Sequence, residues 1–140
     1  MRDQLNDLHP KRGLSPVSVS DDTAQVTQII DTLGFDALTF FIAAGSLADA
    51  DATFTVLVED GAASNLSDAA AVADSYLVGT EALASFIFSD DDKVFKVGYK
   101  GSKRYVRLTI TPANNTGAAV LCVIPVLGLP MTGPVANPPA

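Results

Sequence analysis

Residues 93–111 read KVFKVGYKGSKRYVRLTIT and decide the fold class of this 140-residue chain. Phe95, Val97 and Tyr99 alternate with other residues, and a second alternating run follows. A period of two is typical of strands that bury one face. A short Lys-Gly-Ser connection separates the two runs, and Gly101 offers the positive φ of a tight turn. The stretch therefore predicts a β-hairpin in the middle of a sheet.

Further alternating or apolar stretches predict strands over residues 23–32, 37–44, 52–59, 82–88 and 118–126. Residues 37–44 are apolar on both faces, which indicates a strand that is covered on both sides or lies at the centre of a sheet. Residues 118–126 are nearly all apolar, which predicts a strand buried on both faces. Residues 62–79 allow either a helix capped by Ser67 or a loop with a short strand at 71–73. Turns rich in Gly, Asp and Asn join the strands. We therefore expect an all-β fold, either an antiparallel β-sandwich or a flattened, jelly-roll-like barrel.

The two ends of the chain differ in composition from its middle. Residues 1–21 are polar, contain Pro10 and Pro16, and show no periodicity. Residues 127–140 contain four prolines, which favour an extended, polyproline-like conformation. We expect an extended N-terminal arm at 1–21, a β-sandwich core at 22–126 and a Pro-rich C-terminal arm at 127–140.

The net charge of −7 argues against general nucleic-acid binding, because neutralising phosphates requires a basic surface. Six of the nine Lys and Arg residues nevertheless lie within residues 93–107, where they could meet an acidic protein partner. The N-terminus lacks the apolar segment of a secretory signal, and no apolar run is long enough to span a membrane. We expect synthesis in a cytoplasm and neither a nucleic-acid nor a membrane partner.

The chain has few residues that could support catalysis. His9 is the only histidine, and Cys122 lies in an apolar strand that predicts a buried, inert thiol. Asp49 with Asp51, and the run at 90–92, raise the question of calcium, but their spacing does not match an EF-hand loop. We expect these aspartates to be solvated turn residues. The prediction is a protein without enzymatic activity, catalytic residues, metal or cofactor.

Residues 97–108, VGYKGSKRYVRL, resemble a segment of small proteins encoded among the virion structural genes of tailed bacteriophages. Residues 56–61, 71–74 and 109–112 match the same pattern in order, so the resemblance covers about residues 35–126. It implies a head decoration, or cement, protein on the capsid surface of the virion. Such a protein binds neighbouring major capsid proteins and is expected to be a homo-oligomer, by analogy a trimer. It implies no catalytic motif.

Under this hypothesis we expect the arms to become ordered on the particle and to supply apolar contacts, with basic residues of the predicted hairpin as charge partners. The expected capsid contacts are Leu5, Leu8, Leu14, Val17, Lys103, Arg104, Arg107, Leu129, Met131 and Val135. Two alternatives stay open. One is another virion component, from the tail, the head-completion complex or the baseplate. The other is a displayed carbohydrate-binding module, for which Tyr76, Tyr99 and Tyr105 are the aromatic candidates in a chain without tryptophan.

Overall fold

Strands that each bury one face combine into two antiparallel sheets in the computed structural model, which describes residues 3–139. Sheet A contains β1 (His9–Pro10), β2 (Leu14–Val19), β5 (Phe35–Leu47), β8 (Leu77–Val78), β10 (Val94–Tyr99) and β12 (Ala119–Pro130). Sheet B contains β3 (Gln25–Val26), β4 (Ile30–Asp31), β6 (Thr53–Gly61), β7 (Ala70–Ala71), β9 (Phe86–Ile87) and β11 (Tyr105–Ala113). A 3₁₀ turn (Asp74–Tyr76) and a short helix, α1 (Glu81–Ala84), lie between β7 and β9 in the chain.

The strand order in sheet A is β1–β12–β5–β10–β8, and β2 pairs with the same edge of β12 as β1. The order in sheet B is β3–β11–β6–β7, with β4 also on β11 and β9 also on β6. Every strand pair in both sheets is antiparallel. The predicted all-β, antiparallel sandwich is therefore confirmed.

One apolar core lies between the two sheets. Strand β5 turns Phe40 and Ile42 inward, and β6 turns Val56 and Val58 inward. Removal of this apolar surface from water is the main stabilising contribution in a fold of this kind. The other large residues that are almost fully buried are Phe54, Val97, Val106, Leu108, Ile110, Leu121, Val123 and Leu127.

A stack of three aromatic rings joins the two sheets. The ring of Phe86 lies between Phe54 of sheet B and Phe95 of sheet A, with centroid distances of 4.7 and 5.2 Å. Offset or parallel stacking of this kind adds to the free energy gained from burial alone. The stack therefore ties β9 to both layers of the sandwich.

Residues 93–111 contain both predicted strands, but the prediction of a hairpin is wrong. Strand β10 pairs with β5 and β8 in sheet A, whereas β11 pairs with β3, β4 and β6 in sheet B. The connection at 100–104 therefore crosses from one sheet to the other. The physical reason is that each strand has a distant partner along its whole length, since all six residues of β10 pair with β5 and all nine of β11 pair with β6.

Tyr99 stabilises this crossing. Its side chain is 6% exposed, and its hydroxyl donates to Asp60 Oδ2 at 2.7 Å and accepts from the Lys103 amide at 3.0 Å. Burial, and then the neighbouring carboxylate, raise the pKa of Tyr99. Gly101 is not at a positive φ, contrary to expectation. A Cβ at this position would overlap the Tyr99 ring, so glycine permits the close approach of the chain to that ring.

Helix α1 lies beside β6, on the edge that β7 and β9 leave uncovered between them. There the Val56 amide donates to Ser85 Oγ at 3.0 Å, and the Val58 amide donates to Glu81 Oε1 at 2.6 Å. Side chains of this short segment thus satisfy N–H groups that a further strand would otherwise pair.

The position of this helix differs from the prediction. A strand was expected over 82–88, and only β9 remains of it, while the possible helix capped by Ser67 is not formed. The observed cap is Thr80, whose Oγ1 accepts from the Leu83 amide at 3.1 Å. No helix within residues 3–139 is long and apolar enough to cross a bilayer.

The predicted strand at 23–32 is present as two short strands, β3 and β4. Between them Thr27 is buried, its amide donates to the Leu108 carbonyl at 2.9 Å, and its Oγ1 accepts from the Leu108 amide at 3.0 Å. The Thr27 hydroxyl thus replaces one backbone hydrogen bond between the strands. The strand is therefore interrupted at Thr27 while the Leu108 amide of β11 keeps an acceptor.

The segment at 1–21, predicted as an arm, contributes β1 and β2 to sheet A from residue 9 onward. Val19 is buried, and Leu14 and Val17 pack against the core. Leu14 and Val17 share this side because a register shift in β2 opposes three of its residues to two of β12. Residues 1 and 2 lie outside the described residues. The division of the chain into arms and core stays a prediction.

The C-terminal segment also follows the sandwich. Strand β12 continues through the predicted boundary at 127 to Pro130. Beyond it, the Met131 amide donates to the Gly34 carbonyl at 2.9 Å and the Val135 amide donates to the Asn6 carbonyl at 3.0 Å. The two ends of the described chain therefore contact each other. Residue 140 lies outside the described residues.

We expect Glu81→Ala to lower the free energy of unfolding by about 1–3 kcal/mol, because the Val58 amide would lose its acceptor in a half-buried position. Urea denaturation at neutral pH measures this change. Glu81→Gln keeps an acceptor oxygen and should lose less than half as much. Equal losses in the two variants would contradict the role given to the carboxylate.

Tyr99→Phe should also lower the free energy of unfolding by about 1–3 kcal/mol, because Asp60 and the Lys103 amide both lose the hydroxyl. Tyr76→Phe is the matched control, since Tyr76 is exposed and a surface change of this size alters stability by less than about 0.5 kcal/mol. Thermal melts followed by circular dichroism compare the two. A Tyr99→Phe melt that coincides with wild type would show that the crossing does not need this hydrogen bond.

Candidate functional site

The outer face of sheet A is apolar and lacks a covering layer within residues 3–139. Phe41 of β5 and Ile124 of β12 point away from the core and are 36% and 46% exposed. The prediction that the strand at 118–126 is buried on both faces is therefore wrong. Strand β5 lies at the centre of the sheet, which is one of the two positions expected for it. We call this surface the apolar face, and it comprises Thr39, Phe41, Ala43, Val78, Val94, Val120, Cys122, Ile124 and Val126.

Strand register arranges the apolar face in rows across the sheet. Phe41 lies in the central strand, opposite Ile124 on one side and Lys96 on the other. Directly opposed residues on one face have Cβ atoms about 4.5–5.5 Å apart, so their side chains contact one another. The face is therefore a continuous surface with an aromatic ring at its centre.

A groove of about 750 Å³ runs along the β10 side of the apolar face. Phe41 and Thr39 line it on one side, and Val78 with Leu83 of α1 line it on the other. Gly98 lies opposite Val78, and a Cβ on this glycine would come within 3.0 Å of the Val78 Cβ. The missing side chain keeps the groove open. Lys96 and Lys100 line the same groove.

A second hollow of about 390 Å³ lies on the opposite side of Phe41, next to β12. Leu8 and Leu129 line it together with Val126. Both leucines are exposed, at the place where the N-terminal turn meets the end of β12. The apolar face thus extends to the two chain ends.

The predicted contact residues divide into groups with different environments. Leu5, Leu8, Leu129 and Met131 are exposed near the meeting point of the chain ends, and Val135 is half-buried there. Leu14 and Val17 instead pack against the core. The structure therefore brings together the expected apolar contact residues from both chain ends, with the exception of Leu14 and Val17.

The three predicted charge partners lie on the sheet B side, away from the apolar residues. Arg104 forms a bidentate pair with Asp31, with nitrogen–oxygen distances of 2.8 and 2.7 Å, and this pairing lowers the pKa of Asp31. Arg107 pairs with Glu59 of the neighbouring strand at 2.8 Å. Lys103 is exposed in the crossing. The Arg104–Asp31 pair is exposed and contributes little to stability, whereas the Arg107–Glu59 pair is half-buried.

The aspartates considered for calcium have local roles in loops. Asp49 Oδ2 accepts hydrogen bonds from the amide and the hydroxyl of Thr116 at 2.7 and 2.8 Å. The hydrogen bond from the Thr116 amide is the main reason that the pKa of Asp49 is lowered. Asp90 pairs with Lys93, and Asp91 Oδ1 accepts from the Leu47 amide at 2.6 Å. No three His, Cys, Asp or Glu side chains within residues 3–139 are grouped to hold a metal ion.

The residues considered for nucleophilic chemistry are far apart. His9 is buried in β1 opposite Leu127, with its ring 5.5 Å from that of Phe35. Cys122 precedes Leu127 by five residues on β12, and at the rise of a strand this places it about 16 Å from Leu127 and His9. It lies half-buried on the apolar face rather than in the core, so the prediction of a buried thiol is wrong.

Sequence reasoning missed Phe41 and Ile124 as surface residues, whereas Lys96 and Lys100 belong to the basic residues at 93–107 that were considered for an acidic partner. A signal was present, because residues 37–44 and 118–126 are apolar at both odd and even positions. That pattern fits a strand covered on both sides equally well as a strand with an exposed apolar face. Only the sheet order decides between them.

No known protein family and no curated protein matches this chain. Among solved structures, the PBSX exported protein XepA is similar over 85% of this chain, with a TM-score of 0.56 and 13% identity. The chain spans 36% of the length of XepA. At this identity the similarity shows a shared fold.

Two further structures match with lower scores. The CBM22-1 xylan-binding domain of Paenibacillus barcinonensis Xyn10C has a TM-score of 0.45 and 10% identity, covering 90% of this chain and 88% of the domain. The SPBc2 prophage-derived protein YomS has a TM-score of 0.43 and 12% identity, covering 84% of this chain and 93% of its own.

Neighbouring positions of β12 provide a direct check of the apolar face. Ile124→Thr keeps a β-branched residue and should change the free energy of unfolding by less than about 0.5 kcal/mol while reducing the fluorescence of the dye 8-anilinonaphthalene-1-sulfonate. Val123→Thr, at a position 1% exposed, should cost about 1–3 kcal/mol. Similar losses of stability in both variants would contradict the exposure of residue 124.

Proposed function

We propose that this chain is a non-enzymatic structural protein of a tailed-bacteriophage particle. It is of the head decoration, or cement, type, and it binds the outer shell and bridges neighbouring major capsid proteins. The observation that carries the proposal is the apolar face, which a protein working alone in solution would not need. The resemblance of residues 97–108 to virion proteins supplies the context, and the XepA fold is compatible with a phage origin.

The apolar face has the composition of a protein–protein interface. Large contiguous apolar patches on a folded protein mark sites of interaction, and the centre of such an interface is depleted in charge. Phe41 and Ile124 occupy the centre, while lysines lie toward the β10 side. The net charge of −7 keeps a protein with such a patch soluble before it assembles.

Bridging requires at least two separate contact surfaces. The apolar face supplies one on sheet A, and the basic residues Lys103, Arg104 and Arg107 supply another on the sheet B side. Exposed leucines at the chain ends enlarge the first surface. Many copies on one lattice make weak individual contacts sufficient, because each bound copy is held by more than one neighbour. A homo-oligomer, with a trimer as the expected form, would multiply these contacts further.

The carbohydrate-binding alternative requires exposed aromatic rings on which sugars can stack. Tyr99 is buried, and Tyr105 is half-buried with the Arg104 guanidinium 5.1 Å from its ring centroid. Within residues 3–139, Phe41, Tyr76 and Phe88 are exposed, and of these only Phe41 belongs to the apolar face. The apolar face therefore suits a protein partner better than a polysaccharide. A tail, head-completion or baseplate location would use the same surface, and copy number separates it from decoration.

We expect the purified chain to co-sediment with phage heads that lack it and to saturate at a stoichiometry that matches the capsid lattice. Gel densitometry of the pelleted heads measures the bound copies. Phe41→Ser and Ile124→Ser should each weaken binding about tenfold or more, because each removes apolar area from the centre of the interface.

Ile87→Ser is the matched control, since Ile87 is 44% exposed on sheet B and lies outside both the apolar face and the basic surface. It should bind heads as wild type does. Binding of only a handful of copies per head would contradict decoration and favour the other virion locations. Binding that is unchanged in the Phe41 and Ile124 variants would remove the apolar face from the interface.

A further inference from the structure

Two lysines on β10 share the outer side of sheet A with the groove. Val97 and Tyr99 point into the core, so Lys96, Gly98 and Lys100 point outward. The extended arrangement continues to Lys100, whose amide donates to the Tyr76 carbonyl at 2.9 Å. Four residues of strand separate the two lysines, which corresponds to about 13 Å.

These lysines differ from other basic residues of the same region in their ion pairing. Lys93, Arg104 and Arg107 each pair with a carboxylate. Within residues 3–139, neither Lys96 nor Lys100 forms an ion pair, and both are exposed. Asp36 also lines the groove on the side of Lys100, without pairing with it. Two unpaired lysines in one groove therefore make the groove locally positive on a chain whose net charge is negative.

The space between the two lysines is apolar. Gly98 contributes no side chain, and Val78, Leu83 and Phe41 surround the open volume. Val78 and Leu83 are mostly exposed, so they gain buried area when a ligand enters. The groove therefore presents a positive charge, an apolar depression and a second positive charge in line.

We propose that this groove binds an extended segment of a partner protein in which one apolar residue lies between two carboxylates, at positions i, i+2 and i+4. In an extended segment these three side chains project from the same side, and the outer two are about 13 Å apart, which matches the lysines. The apolar side chain enters the depression above Gly98. This inference rests on the proposed function and names the chemistry that the apolar face recognises on the particle.

Charge and shape favour a protein segment over a nucleic acid. A polyanion presents closely spaced phosphates and gains affinity from many cations, whereas this groove offers two lysines separated by apolar residues. The remaining field of the chain is negative, which opposes a polyanion but tolerates a short segment with two carboxylates. Complementary charges would set the register of the segment, and the apolar contact would supply buried area.

The test measures binding of the fluorescein-labelled peptide Gly-Ser-Glu-Thr-Leu-Thr-Glu-Ser-Gly to the full-length chain by anisotropy at low salt. We expect saturable binding with a Kd below about 1 mM. The Lys96→Glu variant should bind about tenfold more weakly, because an attraction is replaced by a repulsion. Arg12→Glu changes the net charge equally, lies outside the groove and should bind as wild type does.

Three peptide or ligand controls define the outcomes. Replacing both glutamates by glutamine, or the leucine by serine, should weaken binding by similar factors. Equal binding of the glutamine peptide would overturn the inference. Equal losses of binding in the Lys96→Glu and Arg12→Glu variants, or no binding up to about 1 mM, would also overturn it. Lys96-dependent binding of single-stranded oligothymidylate at lower concentration than the peptide would overturn it in favour of a nucleic acid.

The same variants on phage heads separate this inference from the proposed function. If wild type and Lys96→Glu sediment equally with heads while Phe41→Ser does not, the particle role stands and the acidic segment is wrong. If the peptide binds as expected and wild type fails to bind heads, the chemistry of the groove stands and decoration is wrong.

Discussion

The hydrogen bond between the buried Tyr99 hydroxyl and Asp60 is the interaction on which the arrangement of the sandwich depends. It joins the end of β10 in sheet A to β6 in sheet B, at the point where the chain crosses between the layers. With Tyr99 directed into the core, the alternation of β10 directs Lys96, Gly98 and Lys100 outward. The geometry of the groove on the outer side of sheet A therefore follows from a contact on its inner side.

Helix α1 shows how one short element serves both stability and surface shape. Glu81 and Ser85 satisfy amides of β6 that no strand pairs, which protects an edge that would otherwise be open to another chain. Leu83 of the same helix is mostly exposed and forms a wall of the groove. The segment that replaces a strand in sheet B therefore helps to build the groove on the outer side of sheet A.

An apolar face on an acidic chain places opposing demands on the surface. Burying the face in a complex is favourable at about 25 cal/mol per Å² of apolar area, while the same area promotes unspecific association when it is free. A net charge of −7 opposes that association through repulsion between copies. The unpaired lysines would add specificity, because they favour partners with carboxylates at matching positions over further copies of this chain with the same groove.

The sequence by itself determined the all-β class and, approximately, the long strands β5, β6, β10, β11 and β12, because alternation and β-branched composition are local properties of the chain. It did not determine that β10 and β11 lie in different sheets, since a hairpin and a crossing bury the same alternate residues. It also left open whether the apolar residues at 37–44 and 118–126 face a second layer or solvent. The sheet order decided both, and with it the candidate site, because pairing partners distant in sequence determine which side of each strand is covered.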